Sequence, residues 1–387
     1  MMATNEFRWL RPLLFSSTIT QGVIYILRPM ITYRALELEA SPATIGAIAA
    51  VYALLPVLLA LFFGRLVGRV GEGRFLIAGT FAMALASLAL IFSESIPLLM
   101  ASAALAGLSH LACMVGGQTM VSLRSPDDQY DKYFGYYTFS ASLGQMVGPI
   151  IAVVVAGTSG VLPESTNSAF LAALLFSILA LIPVIQWHSD APTVLAVRDN
   201  GGALKSAGKL LKNPKVFSAI YISMAISAVA DILIVFLPLF GQEKEFSAMS
   251  IGIIIAIRAG ASMLSRLSLG FFSASFSTRK ILTFSTSISV ASLIAMAFAS
   301  NVYLLALIVL IAGFSLGVGQ PLTMSLVSMA TQPEERAMAV SARLTGNRLG
   351  QFIFPAGAGA LAAGSGASSV FIALAILLAT TFIPPQS

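Results

Sequence analysis

The chain has 387 residues, of which 57% are hydrophobic and only 10% are charged, and its formal net charge is +6. Soluble domains carry about 25% charged residues, so this composition excludes an ordinary soluble domain and favours a protein that spans a membrane. One cysteine, Cys113, and two histidines exclude an intramolecular disulfide and the usual cysteine- or histidine-built metal site.

Apolar segments separated by charged residues, glycine and proline predict twelve membrane spans. The segments have the length of a spanning helix, about 20 residues, and lack the alternation of barrel strands, so we expect an all-α membrane protein. The first run is long and leads to no small-residue cleavage site, so we expect a retained span rather than a signal peptide. The predicted spans are 12–35, 43–63, 74–92, 97–123, 134–157, 165–187, 215–240, 249–271, 279–299, 302–327, 338–363 and 367–384.

The second half of the chain repeats the first at a constant offset of 206 residues. Ser41–Gly46 recurs as Ser247–Gly252, and Leu143–Pro149 recurs as Leu349–Pro355. Paired, internally repeated membrane bundles are the usual architecture of a secondary transporter.

This repeat divides the chain into two domains. We predict pseudo-symmetric six-helix bundles at residues 1–187 and 215–387, joined by a solvated cytoplasmic linker at residues 188–214. The linker is the one long polar segment of the sequence, and it carries several lysines.

Lysine and arginine are concentrated on one set of predicted loops. If the N-terminus is cytoplasmic, the inner side holds most of these cations, including Arg343, and the outer side holds only Arg34 and Lys244. Because positive residues favour the cytoplasmic side, we expect a multi-pass protein of the inner or plasma membrane with both termini in the cytoplasm. The basic balance then needs no nucleic-acid partner, and the surrounding partners are membrane lipids.

Arg28 lies well inside the first predicted span, where a charge costs roughly 2.5–3.5 kcal/mol and therefore faces the bundle interior or a wet cavity. Gln21, Tyr25 and Arg28 are spaced by three and four residues, which places them on one helical face. We predict that this face binds a solute. The alternative is that Arg28 extends to the outer interface beside Arg34.

Further polar residues fall inside the other spans. Arg258 and Arg348 add two embedded cations, whereas Asp231 is the only embedded carboxylate. A surplus of buried positive charge needs a negative partner, so we predict a small organic solute that is anionic or zwitterionic. Alternatively, backbone carbonyls satisfy the arginines. The repeated glutamines, Gln145 and Gln351, complete the predicted solute-binding set.

Two residues are candidates for proton coupling. Asp231 is either a proton carrier, if an apolar cavity raises its pKa, or a structural ion-pair partner of an arginine. His110, near the middle of the fourth span, either transfers protons or packs as a neutral side chain. No phosphate-binding loop or nucleophile elbow is present, so we expect neither an enzyme nor a cofactor, with an ion or proton gradient as energy source.

The arrangement resembles the major facilitator superfamily over the whole chain. The segment Gly64–Arg74 is similar to the family's inner-loop motif Gly-x-x-x-Asp-Arg-x-Gly-Arg, with Gly68 where the aspartate is usual. The fifth span resembles the family's antiporter signature, with Ala152 and Val153 in place of its last two glycines. The positions that this resemblance assigns to gating and helix packing are Gly64, Arg69, Gly71, Arg74, Gly144, Gly148 and Pro149.

The resemblance implies a transporter that works by alternating access, with its site between two six-helix domains. The antiporter signature is associated with export, so we predict proton-coupled efflux of a small organic anion by a monomer. In drug–proton antiporters of the family an arginine precedes the glycine that matches Gly107, but Ala103 stands there. An uptake symporter for an organic anion is the alternative, and a non-transporting membrane receptor or scaffold is the alternative from another class.

Overall fold

The computed structural model describes residues 8–126, 129–157, 160–189, 210–332 and 336–382. These ranges form thirteen α-helices and no β-strand, which confirms the predicted all-α class. The helices are α1 Leu10–Glu37, α2 Pro42–Val70, α3 Glu72–Ile91, α4 Ile96–Arg124, α5 Tyr130–Ala156, α6 Thr166–Val184, α7 Pro214–Glu243, α8 Ala248–Ser275, α9 Thr278–Ala297, α10 Val302–Gly317, α11 Gly319–Met329, α12 Arg336–Ser365 and α13 Ala367–Ala379, with 3-10 turns at Ile185–Ser189 and Thr380–Phe382.

Every predicted span coincides with helix, and the span 302–327 is interrupted at a single residue. The helix breaks at Val318, between α10 and α11. Pro321 lacks the amide that would bond to the carbonyl of Gly317 in a continuous helix. Arg266 instead donates its Nε–H to that carbonyl, at 3.3 Å. A side chain from α8 therefore replaces the missing backbone hydrogen bond.

Nine helical segments in the described ranges are long and apolar enough to cross a membrane. They comprise helices from α2 to α9 and the α10–α11 pair, whereas α13 is a shorter apolar helix. Helices α1 and α12 are long but are not among the nine, and they carry Arg28, Arg343 and Arg348. The predicted total of twelve spans is therefore confirmed only in part.

The chain forms two compact units. The first comprises Met1–Ala40, Val51–Val197 and Ser247–Ala256, and the remainder forms the second. Most of the predicted linker, at residues 190–209, lies outside the described residues. The predicted domain limits at 187 and 215 stay a prediction.

Within each unit, glycines bring equivalent helices into close contact. In the first unit, a Cβ on Gly144 of α5 would lie 2.8 Å from the backbone nitrogen of Gly22 on α1. In the second, a Cβ on Gly350 of α12 would lie 2.6 Å from Met224 on α7. Because Gly144 and Gly350 are 206 residues apart, the sequence repeat is also a repeat of helix packing.

A second repeated feature joins helix ends inside each unit. Thr166, at the start of α6, donates its hydroxyl proton to the Glu37 carboxylate at the end of α1, at 2.8 Å. The backbone N–H of Ala367, at the start of α13, donates to the Glu243 carboxylate at the end of α7, at 2.9 and 3.0 Å. Each carboxylate thus lies at a helix N-terminus, where negative charge is favoured.

Candidate functional site

Five side chains of the first unit form a connected group, which we term the first-half polar chain: Arg28, Tyr52, His110, Gln21 and Gln145. The Gln145 amide donates to Gln21 Oε1 at 3.1 Å, and Gln21 Nε2 lies 3.2 Å from His110 Nε2. The Tyr52 hydroxyl lies 2.9 Å from His110 Nδ1, and the Arg28 guanidinium lies 4.9 Å from the centroid of the Tyr52 ring. The structure therefore brings together three of the predicted solute-binding residues and His110.

Close helix contacts explain why these side chains reach one another. Gly107 of α4 packs directly against the backbone of Tyr52 on α2, so His110, one turn further along α4, lies within reach of the Tyr52 hydroxyl. Gly144 packs against α1 in the same way, and the next residue, Gln145, reaches Gln21. Each glycine thus positions a polar contact within one turn of itself.

Both ring nitrogens of His110 lie at hydrogen-bonding distance from a polar side chain. Gln21 Oε1 accepts from Gln145, so the Gln21 amide group that faces His110 is the NH₂ donor. Nε2 of the ring is then an acceptor, which fits a neutral imidazole with its proton on Nδ1 towards Tyr52. The Gln145–Gln21 hydrogen bond in this group also joins α5 to α1.

The second unit repeats part of this arrangement. Gln351 Nε2 donates to Ser227 Oγ on α7 at 3.1 Å, and the two residues lie 206 positions after Gln145 and Gln21. Gln351 Oε1 accepts a hydrogen bond from Arg348 Nη1 at 3.0 Å. Asp231, half-buried, follows Ser227 by one turn of α7.

The structure also describes Arg258, Tyr25 and Arg28 of the predicted solute-binding set. Arg258 is buried on α8, with 5% of its surface exposed, and Gly313 of α10 packs against its backbone as Gly107 does against Tyr52. Tyr25 is half-buried on α1, where a Cβ on Gly148 would lie 3.0 Å from its Cβ. Arg28 is 6% exposed and stacks on Tyr52, which differs from the alternative in which it extends to the outer interface.

Arg343 is a functional candidate that sequence reasoning missed. We counted it among inner-side cations, but its side chain is 7% exposed, two turns into α12. Its Nη1 lies 2.8 Å from Ser223 Oγ, 3.0 Å from Gln320 Oε1 and 3.3 Å from Thr323 Oγ1. A usable signal was present, because position 343 falls inside the predicted span 338–363 and shares a helical face with Asn347. Tyr52 was missed too, although the offset of 206 residues relates it to Arg258.

In the inner-loop motif, Gly71 has a backbone conformation that favours glycine, whereas Gly64, Arg69 and Arg74 lie at open or exposed positions. Gly71 has φ 95°, a left-handed value that favours glycine, at the start of α3. Arg69 and Arg74 are exposed, and a Cβ at Gly64 would meet nothing within 4 Å. Pro149 lies inside α5.

A partly buried ion pair includes Glu72 of this motif. Arg124 Nη2 donates to the Glu72 carboxylate at 2.8 Å, and the Arg124 guanidinium lies 5.8 Å from the centroid of a Trp187 ring. Glu72, rather than an aspartate at position 68, thus supplies the negative charge here. In the described ranges, no group of three or more His, Cys, Asp or Glu side chains is placed to hold a metal ion.

Comparison with known proteins places the chain among membrane transporters. The sequence model of the Major Facilitator Superfamily matches residues 13–284 and residues 245–384. The tetracycline resistance protein, class B, of Escherichia coli is 28% identical over 155 residues, which span 40% of this chain and 36% of that protein. The chain thus matches about a third of the length of this relative.

Solved structures extend the similarity to the whole chain. The nucleoside transporter NupG is 13% identical, with a TM-score of 0.79 over 98% of this chain and 99% of that one. A POT family transporter in complex with a thioalcohol-conjugated peptide is 16% identical, with a TM-score of 0.78 over 97% of this chain and 94% of that one. At these identities the likeness concerns the fold.

Proposed function

The chain belongs to the major facilitator superfamily, and we propose that it exports a small organic anion in exchange for protons. As a member of this family it is a multi-pass membrane protein and a secondary transporter, and the expectation that it is not an enzyme is confirmed. We propose that the solute is anionic, that transport is outward and that it is coupled to protons. We also propose that the protein is a monomer of the inner membrane with both termini in the cytoplasm.

The charge balance of the helix interiors carries the proposal. The described helices hold five arginines that lie seven or more residues from either helix end, but one carboxylate, Asp231, that does so. These arginines are Arg28, Arg258, Arg266, Arg343 and Arg348. A net positive interior favours an anion, and the arginine fork suits a carboxylate or phosphate through two parallel hydrogen bonds.

Each unit contributes its own polar groups to the proposed solute binding. In the first unit these are Arg28, Tyr25, Gln21 and Gln145. In the second unit they are Arg258, Arg348 and Gln351, and the Gln351 amide links Arg348 to Ser227 on α7. The Gln351 amide holds the Arg348 guanidinium in one orientation, and a guanidinium held in this way suits an anionic group of the solute.

Export is supported by two observations. Gly144, Gly148 and Pro149 match the antiporter signature of the family, and both glycines form the tight contact between α1 and α5. The similar protein from Escherichia coli is named for tetracycline resistance, and a membrane transporter confers resistance by moving a compound out of the cell.

Flux measurements test the proposal. Benzoate, phenylphosphate and the cation tetraphenylphosphonium are offered to inverted and right-side-out vesicles that contain the protein. We expect the two anions to accumulate in inverted vesicles when the lumen is acidic. Accumulation of anions only in right-side-out vesicles would indicate uptake, movement of the cation alone would overturn the anionic solute, and no solute movement would favour a receptor.

Asp231→Asn tests proton coupling. If Asp231 carries the proton, the variant loses flux driven by a pH gradient but keeps exchange of labelled for unlabelled solute, because the binding arginines remain. Both fluxes are measured in proteoliposomes, with Glu94→Gln, an exposed loop carboxylate, as the matched control. Failure of Asp231→Asn to fold would identify a structural ion-pair partner instead, and unchanged gradient-driven flux would transfer the proposal to His110.

A further inference from the structure

We propose that Arg343 is a further solute-binding residue, which takes a carboxylate or phosphate group of the transported anion on one edge of its guanidinium. This inference rests on the anionic solute proposed above. It adds a residue to the binding set and assigns the part of the solute that this residue contacts.

The hydrogen bonds of Arg343 all lie on one side of the guanidinium, at Nη1. Nη1 donates hydrogen bonds to three neutral oxygens, those of Ser223, Gln320 and Thr323. Nε is buried and has no hydrogen-bond partner, and the hydrogen bonds from this guanidinium to described residues all come from Nη1. The Nε–Nη2 edge is one of the edges that bind a carboxylate or phosphate through two parallel bonds.

The surrounding network holds this edge in a fixed orientation. Gln320 Oε1 accepts from both Arg343 and Asn347, and Gln320 Nε2 lies 3.4 Å from the carbonyl of Ser223. Asn347 Oδ1 is also buried without a partner. The site is therefore built by α7, α11 and α12, with two polar atoms still unsatisfied.

Arg343 does not reach a helix end. It lies about 10 Å from the start of α12 at 1.5 Å per residue. One turn towards that end, a hydrophobic cluster separates it from the helix terminus. The cluster consists of Leu210, Val216, Ala219, Ile220, Val327 and Ala339. A guanidinium behind such a layer is not an interfacial cation.

The first unit shows that this packing arrangement needs no charge. Tyr137, 206 residues before Arg343, occupies the equivalent place on α5 and is buried. With Ser17 and Gly117, the counterparts of Ser223 and Thr323, it lines a cavity of about 10 Å³, room for one water molecule. A neutral side chain therefore closes the same helix junction, and burying a charge there is costly unless it is paired. The charge of Arg343 is accounted for by an anionic partner.

Cysteine accessibility tests whether solute reaches this position. In a Cys113→Ala background the chain has no other cysteine, so Arg343→Cys can be probed with a negatively charged methanethiosulfonate reagent in membranes. We expect reaction, and we expect phenylphosphate to slow it. Leu344→Cys is the matched control. Leu344 is an apolar residue exposed on a predicted membrane span, where we expect it to face lipid, so the charged reagent should not react there. Absence of reaction at 343, or a rate that phenylphosphate leaves unchanged, would overturn the proposal.

Binding to the purified full-length protein gives an independent test. Loss of a charge-assisted pair is expected to raise the Kd for benzoate and phenylphosphate roughly tenfold or more in Arg343→Gln. Arg343→Lys, which keeps the charge but not the fork, should lose less, and Tyr137→Phe should not change. Should Arg343→Gln fail to fold, Arg343→Lys carries the comparison.

The outcomes separate this inference from the proposed function. Suppose that Arg28→Ala and Arg348→Ala weaken anion binding while Arg343→Gln and Arg343→Lys bind as the wild type does. The anionic solute is then supported, but the role of Arg343 is rejected. If neither anion binds to the wild type, the anionic solute and the role of Arg343 are both rejected.

Discussion

Arg348→Ala is expected to reduce anion transport strongly while leaving folded protein in the membrane. Arg348 donates to Gln351, which in turn donates to Ser227 on α7, so the guanidinium is held in one orientation by neutral groups. Removal of a charge-assisted hydrogen bond costs about 1.5–3 kcal/mol, which corresponds to a roughly ten- to hundredfold loss of flux at limiting solute. Benzoate and phenylphosphate exchange in proteoliposomes measures this loss.

The matched control for this variant is Lys280→Ala, which removes an exposed cation at the start of α9. Its flux should equal that of the wild type, whereas Arg28→Ala should lose flux as Arg348→Ala does. Equal amounts of each protein, monodisperse in detergent, are required for the comparison. Wild-type flux in Arg348→Ala would remove this residue from the solute-binding set.

Gly107→Ala is expected to destabilise the first unit severely. A Cβ at this position would overlap the backbone of Tyr52, with its carbonyl carbon 2.9 Å away, and backbone atoms cannot turn aside as side chains do. Helices α2 and α4 must then separate, which costs about 3 kcal/mol or more when overpacking adds to lost contacts. The separation also breaks the contact between Tyr52 and His110. Thermal unfolding of the purified protein measures the effect.

Gly135→Ala on α5 is the control for Gly107→Ala, because a Cβ at this exposed glycine would meet nothing within 4 Å. Alanine exceeds glycine in helix propensity by about 1 kcal/mol, so this variant should be as stable as the wild type or more stable. An unfolding temperature for Gly107→Ala equal to that of Gly135→Ala would contradict the close contact between α2 and α4.

Helix positions were predictable because hydrophobic length alone distinguishes a spanning segment from a polar loop. The break at Val318 was not predicted, since the segment that forms α10 and α11 is apolar enough on average to be a single span. Pro321 was a visible signal, but its consequence depends on Arg266, a residue of another helix that bonds to the freed carbonyl. Sequence periodicity does not report such contacts between helices.

The site was predictable to the extent that polar residues share a helical face or repeat at a fixed offset. Gln21 and Arg28 were found by the first criterion, and Gln145 and Gln351 by the second. Their partners were not, because Gln21 and His110 are 89 positions apart and helical spacing does not identify neighbours on other helices. Arg343 was misassigned because nearness to a span end was taken to mean exposure. The nearby hydrophobic cluster is formed by α7, α11 and α12 together with Leu210, which lies before α7.

The central claim is that the helix interiors select a negatively charged solute, and a matched ligand series tests it most directly. Benzoate, benzyl alcohol and benzylamine have nearly the same size and shape but carry one negative, no and one positive charge. Equilibrium binding to the purified protein should give benzoate a Kd at least about tenfold below that of benzyl alcohol, with benzylamine weakest. Tighter binding of benzylamine than of benzoate would contradict the claim.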